Sequence, residues 1–169
     1  MTSPRIQRLL ADRDLLASPA PDDEVAAFWK KAPRAYRDSR LPALSPAGAF
    51  NAGYEAALDA ATALVREAGY RVKASSRHHW ATFYAVQGLG DKELEGFGFE
   101  LDSVRGERHE NVYEADDDET LAVRRRDALH RLLAGFLPAA HAWLVARRPQ
   151  LRASLAHPST VVPGGDEER

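Results

Sequence analysis

The feature that most constrains this chain is the run from Ser45-Pro46 to Gly69. Serine followed by proline is a helix-start signal, with the hydroxyl as cap and the proline at the first helical position. Gly69 is a ready C-terminal stop. Between them Phe50, Gly53, Tyr54, Ala57, Ala61, Leu64, Val65 and Ala68 recur at helical spacing and form one apolar stripe. Ala49, Ala52, Ala56, Ala57, Ala60, Ala61 and Ala63 favour helix and keep its surface low, so that a neighbouring helix can approach closely. Such a stripe is best buried by other helices.

The rest of the chain supplies them. Ser3-Pro4 repeats the start signal, and Ile6, Leu9 and Leu10 make a short amphipathic helix that the spacing extends toward Leu15 and Leu16. Ser18-Pro19-Ala20-Pro21 is a linker, because its two prolines forbid helix. Asp22-Asp23-Glu24 places negative charge at the next helix start, followed by Val25, Phe28, Trp29, Ala32 and Tyr36 at helical spacing. Pro33 is read as a kink or the start of a second segment. Arg71 to Ser75 reads as a loop, and a helix from about Ser76 runs to Gly88-Leu89-Gly90.

Another helix starts near Asp91. Its Gly96, Gly98 and Gly106 each cost about 1 kcal/mol against alanine, a cost accepted here as close helix–helix contact. Asp116-Asp117-Asp118 reads as a turn before a long final helix whose core face is Leu121, Leu129, Leu132, Leu133, Phe136, Leu137, Ala140 and Leu144. Pro138 should kink that helix, Arg147-Arg148-Pro149 should end it, and a short helical turn through Leu155 follows. No stretch reads as a convincing strand. The expected fold is all-α, a mostly antiparallel four- to five-helix up-and-down bundle. Residues 1–21 form an N-terminal helix and linker, residues 22–156 the bundle, and residues 157–169 a disordered tail, given its Pro-Gly-Gly and Asp-Glu-Glu-Arg composition.

Length and charge narrow the functions. At 169 residues one domain with a single sizeable core is expected. A net charge of −2 argues against a bulk electrostatic grip on nucleic acid, so any such binding needs a local basic cluster. The absence of cysteine excludes disulfides, thiolate metal sites and a cysteine nucleophile, and suits the cytoplasm. Arg5, Arg8, Asp12, Arg13 and Asp14 interrupt any apolar leader, so no signal peptide is read. No uncharged run approaches the roughly 18 residues of a membrane span.

There is no Gly-x-x-x-x-Gly-Lys loop, no His-Glu-x-x-His and no Gly-x-Ser-x-Gly. His78 and His79, with Glu55 or Asp59, could begin a metal site. Adjacent helical histidines point about 100° apart, however, and cannot easily ligate one ion, so neither metal nor cofactor is expected. His130 and His141 lie close to the apolar stripe of the last helix and read as packed residues. Trp29, Trp80 and Trp143 read as core, and Arg124-Arg125-Arg126 as a solvated face.

The stretch from Phe97 to Tyr113 differs. Phe97, Leu101, Val104, Arg108 and Val112 fall on one inward-facing stripe if it is helical, which places an arginine in an apolar face. Arginine is almost never fully buried unpaired, so Arg108 needs an acceptor, a dimer partner or a ligand. Arg105, Arg108, His109, Asn111 and Tyr113 crowd polar chemistry around it. An Asp102–Arg105 pair accounts for Arg105 but leaves Arg108 unexplained. Arg108 could grip a phosphate bidentately, and His109 could exchange protons near neutrality. These are parts for metal-independent RNA cleavage, in which a 2′-hydroxyl attacks the adjacent phosphate.

Three segments carry a family resemblance. Gly48 to Tyr70 resembles the second long helix of HEPN domains (higher eukaryotes and prokaryotes nucleotide-binding). Ser76-Arg-His-His79 is similar to the Gly-His-His step that opens the next helix in several bacterial members. Arg105-Gly-Glu-Arg-His-Glu-Asn-Val-Tyr-Glu114 resembles their Arg-x-x-Arg-Asn-x-x-x-Tyr-Glu segment. The resemblance spans about Asp22 to Ala146. It implies a helical bundle, commonly a homodimer, and often a toxin paired with a small nucleotidyltransferase antitoxin. Active members are metal-independent ribonucleases that use an arginine and a histidine a few residues on. Carried over by position, Arg108 matches the motif arginine and His109 the polar residue after it, while Tyr113 stands where the histidine would. A tyrosine, with a pKa of about 10, is a poor proton shuttle at neutral pH.

The resemblance therefore implies an RNA or nucleotide site built from Arg105, Arg108, His109, Asn111, Tyr113 and His79, with Arg108, His109 and Tyr113 as the candidate catalytic set. Weak or lost nuclease activity is the favoured expectation. An active ribonuclease toxin and a non-catalytic dimerisation or partner-binding module are the alternatives.

Overall fold

The computed structural model describes residues 2–113 and 119–158, with residues 109–113 described by backbone alone. The order of elements is α1 (Pro4–Ala11), β1 (Leu15–Ala17), α2 (Asp22–Ser39), α3 (Pro46–Glu67), β2 (Tyr70–Val72), α4 (His78–Val86), α5 (Lys92–Tyr113), α6 (Glu119–Arg147) and a short 3-10 turn, Pro149–Leu151. The fold is mostly helical. The expected Asp116-Asp117-Asp118 turn and the tail beyond residue 158 lie outside the described residues.

The alanine-rich α3 is the central helix. Ser45 caps it, its hydroxyl accepting from the Gly48 N–H at 3.1 Å. Tyr54, Ala56, Ala57, Ala60, Ala61, Ala63 and Leu64 are fully buried, far more than one stripe. The small side chains let α2, α4 and α6 pack around several faces of the same helix. The core continues through Trp29 of α2, Phe83 of α4, Leu94 and Leu101 of α5, and Leu129, Leu133, Phe136 and Leu137 of α6. α2 and α6 run unbroken through Pro33 and Pro138. Pro33 is buried beside Trp29 and Ala32, so packing on both sides of the proline outweighs the lost backbone bond, and no second segment starts there.

The chain also contains a small antiparallel sheet that periodicity did not announce. β1 pairs with β2 in the register Leu15–Val72, Leu16–Arg71 and Ala17–Tyr70. Helix α1 stops at Ala11, so Leu15 and Leu16, expected to extend it, lie in a strand, and part of the expected Arg71–Ser75 loop is the other strand. Gly69 makes this geometry accessible: its φ of 87° is left-handed, and it turns the chain out of α3 directly into β2. The adjoining bonds Ser18 N–H to Gly69 O and Lys73 N–H to Asp14 O, 2.8 and 2.9 Å, extend the pairing at both ends.

Two arginines, Arg66 buried and Arg148 half-buried, fasten the segments that lack helix. Arg66 of α3 donates to both carboxylate oxygens of Glu24, at 2.8 and 3.0 Å, and to the carbonyls of Ser18 and Tyr70. Arg148 binds Asp22, Glu67 and the Ala20 carbonyl. The proline linker is thereby held against α3 and the end of α6. α1 joins the same core through Ile6 and Leu9, and the Ser3 hydroxyl donates to Gly88 O at 2.7 Å.

Of the three glycines in α5, Gly98 meets the close-packing expectation. A Cβ there would come within 2.7 Å of Gln87 and 3.2 Å of the Phe83 carbonyl. Gly96 and Gly106 face open space, so close contact does not explain them.

Candidate functional site

The apolar stripe of α5 rises out of the core toward its C-terminal end. Phe97 packs on Phe136 with ring centres 5.6 Å apart, Leu101 is fully buried, and Val104 is half-buried. Arg108 comes next, with 28% of its side chain exposed. Its guanidinium carbon sits 4.3 Å from the centre of the Tyr54 ring, a cation–π contact with the face of a fully buried aromatic. One terminal nitrogen also lies 3.4 Å from Glu55 Oε1, a carboxylate whose side chain is 51% exposed. This placement accounts for an arginine on an apolar stripe: the ring face accepts the cation, and the guanidinium keeps N–H groups for an anion.

Tyr54 links α3 to α4. Its hydroxyl lies 3.1 Å from His79 Nδ1, and its ring meets Phe83 edge-on. Burial pushes the Tyr54 hydroxyl up to about 12, against the smaller opposing effect of the Arg108 charge. The phenol therefore stays protonated at any physiological pH, and its proton is available to His79. Burial, reinforced by Arg108, holds His79 below its ordinary imidazole value, and burial does the same to His78. Both rings are predominantly neutral near pH 7.

These groups open onto a cleft of about 820 Å³ lined by Tyr54, the segment Ala74 to Trp80, Arg105 and Arg108. Arg105 is held by Asp102, Nε to Oδ1 2.7 Å, as the helical spacing predicts. Arg77 lies 3.3 Å from Asp14 Oδ2 and stacks 4.3 Å over Trp80, whose other neighbour is the parallel ring of Tyr84. The cleft is thus a local cluster of three arginines, two imidazoles and an aromatic stack on a chain of net charge −2. Such a cluster suits a phosphate joined to a flat heterocycle.

Arg105, Arg108 and His79, expected from the sequence, are brought together here. His109, Asn111 and Tyr113 belong to the last turns of α5, but their side chains lie outside the described residues. Sequence reasoning missed Tyr54, Arg77 and Trp80 as site residues. Tyr54 was hidden in a core stripe; the available signal was that a buried tyrosine hydroxyl needs a partner, and two histidines open the next helix. Trp80 is half-buried and faces the cleft, whereas Trp29 is core, its Nε1–H donating to Ala156 O at 2.9 Å.

His130 and His141 have packing roles. His130 meets the Ser39 hydroxyl at 3.1 Å and the Tyr36 ring edge-on, and His141 meets Leu155 O at 2.9 Å. Among the described residues no group of three or more histidine, aspartate or glutamate side chains is placed to hold a metal ion. No helix among them is long and apolar enough to cross a membrane. No family model, curated protein or solved structure matches the chain.

Proposed function

We propose that this chain is a HEPN-like helical protein of the toxin–antitoxin or defence-associated kind, whose Arg108-centred cleft binds RNA or a nucleotide with weak or lost nuclease activity. The observation that carries the reading is Arg108 held over the Tyr54 ring at 4.3 Å in a cleft that Arg77, Arg105 and His79 also line. Among the described residues Glu55 is the carboxylate beside it, half-exposed at 3.4 Å, and a phosphate can displace it. Arg77, backed by the Trp80 ring, adds a guanidinium on which a base can stack.

Binding without strong cleavage is favoured because Tyr113 stands where the resemblance places the catalytic histidine. Tyr54, held far above neutrality by burial, cannot act as a base in its stead. The test is Arg108→Ala. Binding of a labelled single-stranded RNA should be lost, along with any toxicity on expression, while the helical circular dichroism spectrum is unchanged. Retained binding overturns the reading. A purified protein that cleaves mixed RNA in EDTA, and loses that activity as His109→Ala, would replace it with the active ribonuclease. The resemblance also brings a homodimer and a nucleotidyltransferase-type partner. Light scattering on the purified protein tests the first, and co-purification with a nucleotidyltransferase encoded beside it tests the second.

A further inference from the structure

A second cleft, of about 570 Å³, adjoins the first. It lies between α2, α3 and the β1–β2 sheet, and it shares Ala74 and His78 with the Arg108 cleft as a common wall. Its floor is apolar, from Phe28, Leu58 and Val72, and Lys73 and Arg71 stand at its rim. Asp59 of α3 enters it. Unlike Asp14, Asp22 and Asp102, Asp59 has neither a hydrogen bond nor an ion pair among the described residues. Burial raises its carboxyl above the ordinary range, with Lys31 opposing and Glu55 adding to the shift. A half-buried carboxylate without donors is costly, and a ligand that supplies N–H groups recovers that cost.

The two clefts lie side by side along α3, which lines both. Asp59 follows Glu55 by one helical turn, so their Cβ atoms are about 5–6 Å apart on one face of α3. Glu55 is the residue beside Arg108. We infer that the second cleft is a nucleobase subsite that selects guanine, with the Asp59 carboxylate accepting from the two adjacent N–H groups of the guanine edge while the attached phosphate sits at Arg108. This rests on the phosphate reading of the Arg108 cleft. An ionised carboxylate offers only acceptors. Guanine alone among the RNA bases presents two adjacent donors, at N1 and the 2-amino group, where adenine and cytosine pair a donor with an acceptor and uracil flanks its one donor with carbonyls. Phe28, half-buried with Lys31 at 5.1 Å from its ring centre, supplies the apolar wall against which a base can lie.

The experiment is fluorescence anisotropy with labelled single-stranded hexanucleotides: all adenosine, one central guanosine, and one central inosine, which lacks the 2-amino group. The full chain should bind the guanosine strand about tenfold more tightly than the adenosine strand, with inosine between them. Asp59→Asn should bring the guanosine-to-adenosine ratio to about one or below it, since an amide matches adenine. Competition by GMP but not AMP assigns a free guanine nucleotide as ligand, and displacement by the guanosine strand alone assigns RNA. Binding of both strands with equal affinity by the unmodified protein overturns the inference and leaves the Arg108 reading standing. An unchanged guanosine preference in folded Asp59→Asn also overturns it. The inosine strand decides the matter if that variant does not fold. No binding of any strand or nucleotide removes the Arg108 reading and this inference with it.

Discussion

Arg108 and Tyr54 are a matched pair: the guanidinium of α5 lies 4.3 Å over the ring of a tyrosine that α3 buries completely. The ring fixes where the arginine points, and the hydroxyl fixes His79. The two roles separate by substitution. Tyr54→Phe keeps the ring under Arg108 and should retain RNA affinity within about twofold, at a stability cost of about 1 kcal/mol for the unpaired His79 nitrogen. Tyr54→Leu removes the ring and should weaken binding about tenfold. Anisotropy titrations alongside thermal melts measure both, and equal losses in the two variants would contradict the assignment.

Three buried or half-buried histidines give the fold an acid sensitivity. His78, His79 and His130 all sit below their ordinary value of 6.5, chiefly through burial. In the unfolded chain they take up protons as pH falls through about 6.5, while the folded rings resist, so the unfolded state binds more protons there. Their contribution is complete above that pH and declines below it. The melting temperature should therefore fall between pH 7.5 and 5.5. His130→Gln, which removes one of the three, should flatten the slope, and an unaltered slope would assign the sensitivity elsewhere.

Most of the helical frame was legible because its signals are local. Ser45 caps α3, Asp91 accepts from the N–H groups of Glu93 and Leu94 at the start of α5, and the predicted stripe of α3 is buried, though the packing buries its other faces as well. The sheet was not legible, since three-residue strands carry too little periodicity and depend on partners far apart in sequence. The site was half legible. Arg108 betrayed itself as a charge on an apolar stripe, whereas Tyr54 and Trp80 looked like any core aromatic. Only the crossing of α3, α4 and α5 reveals that one holds an arginine and the other faces a cleft.

Arg66 and Glu24 should act together against acid at lower pH. Hydrogen bonding from Arg66 is the main reason the Glu24 carboxyl lies below its ordinary 4.5. The unfolded carboxylate protonates first as pH falls, so the stability this pair supplies is present above about 4.5 and is lost below it as the folded group titrates. Glu24→Gln should shift the onset of acid unfolding to higher pH. Arg66→Met should cost more, about 3 kcal/mol, because it also strands the carbonyls of Ser18 and Tyr70 that hold the linker to the two-stranded sheet. Urea unfolding at pH 7 and pH 4 separates the two, and a pH-independent deficit in Glu24→Gln would refute the linkage.

The glycines of α5 make opposite predictions for one chemical change. At Gly98 an added methyl would meet Gln87 Cγ at 2.7 Å, the Gln87 nitrogen at 3.0 Å and the Phe83 carbonyl at 3.2 Å. Two of those atoms are backbone of the neighbouring turn and cannot swing away. The Gln87 amide, which donates to Gly98 O at 3.2 Å, would lose its bond as the helices part. Gly98→Ala should therefore destabilise by about 1–3 kcal/mol. Gly106 has nothing within 4 Å of the same position and no positive φ, so there the methyl restricts the unfolded chain and improves helix propensity without a clash. Gly106→Ala should stabilise by about 0.5–1 kcal/mol. Because Gly106 lies between Arg105 and Arg108, the same variant tests whether the cleft needs a loose helix. Unchanged RNA affinity with raised stability would mean that the contacts to Asp102, Tyr54 and Glu55 suffice to position the arginines, and weakened affinity would mean that α5 must yield there to admit the ligand.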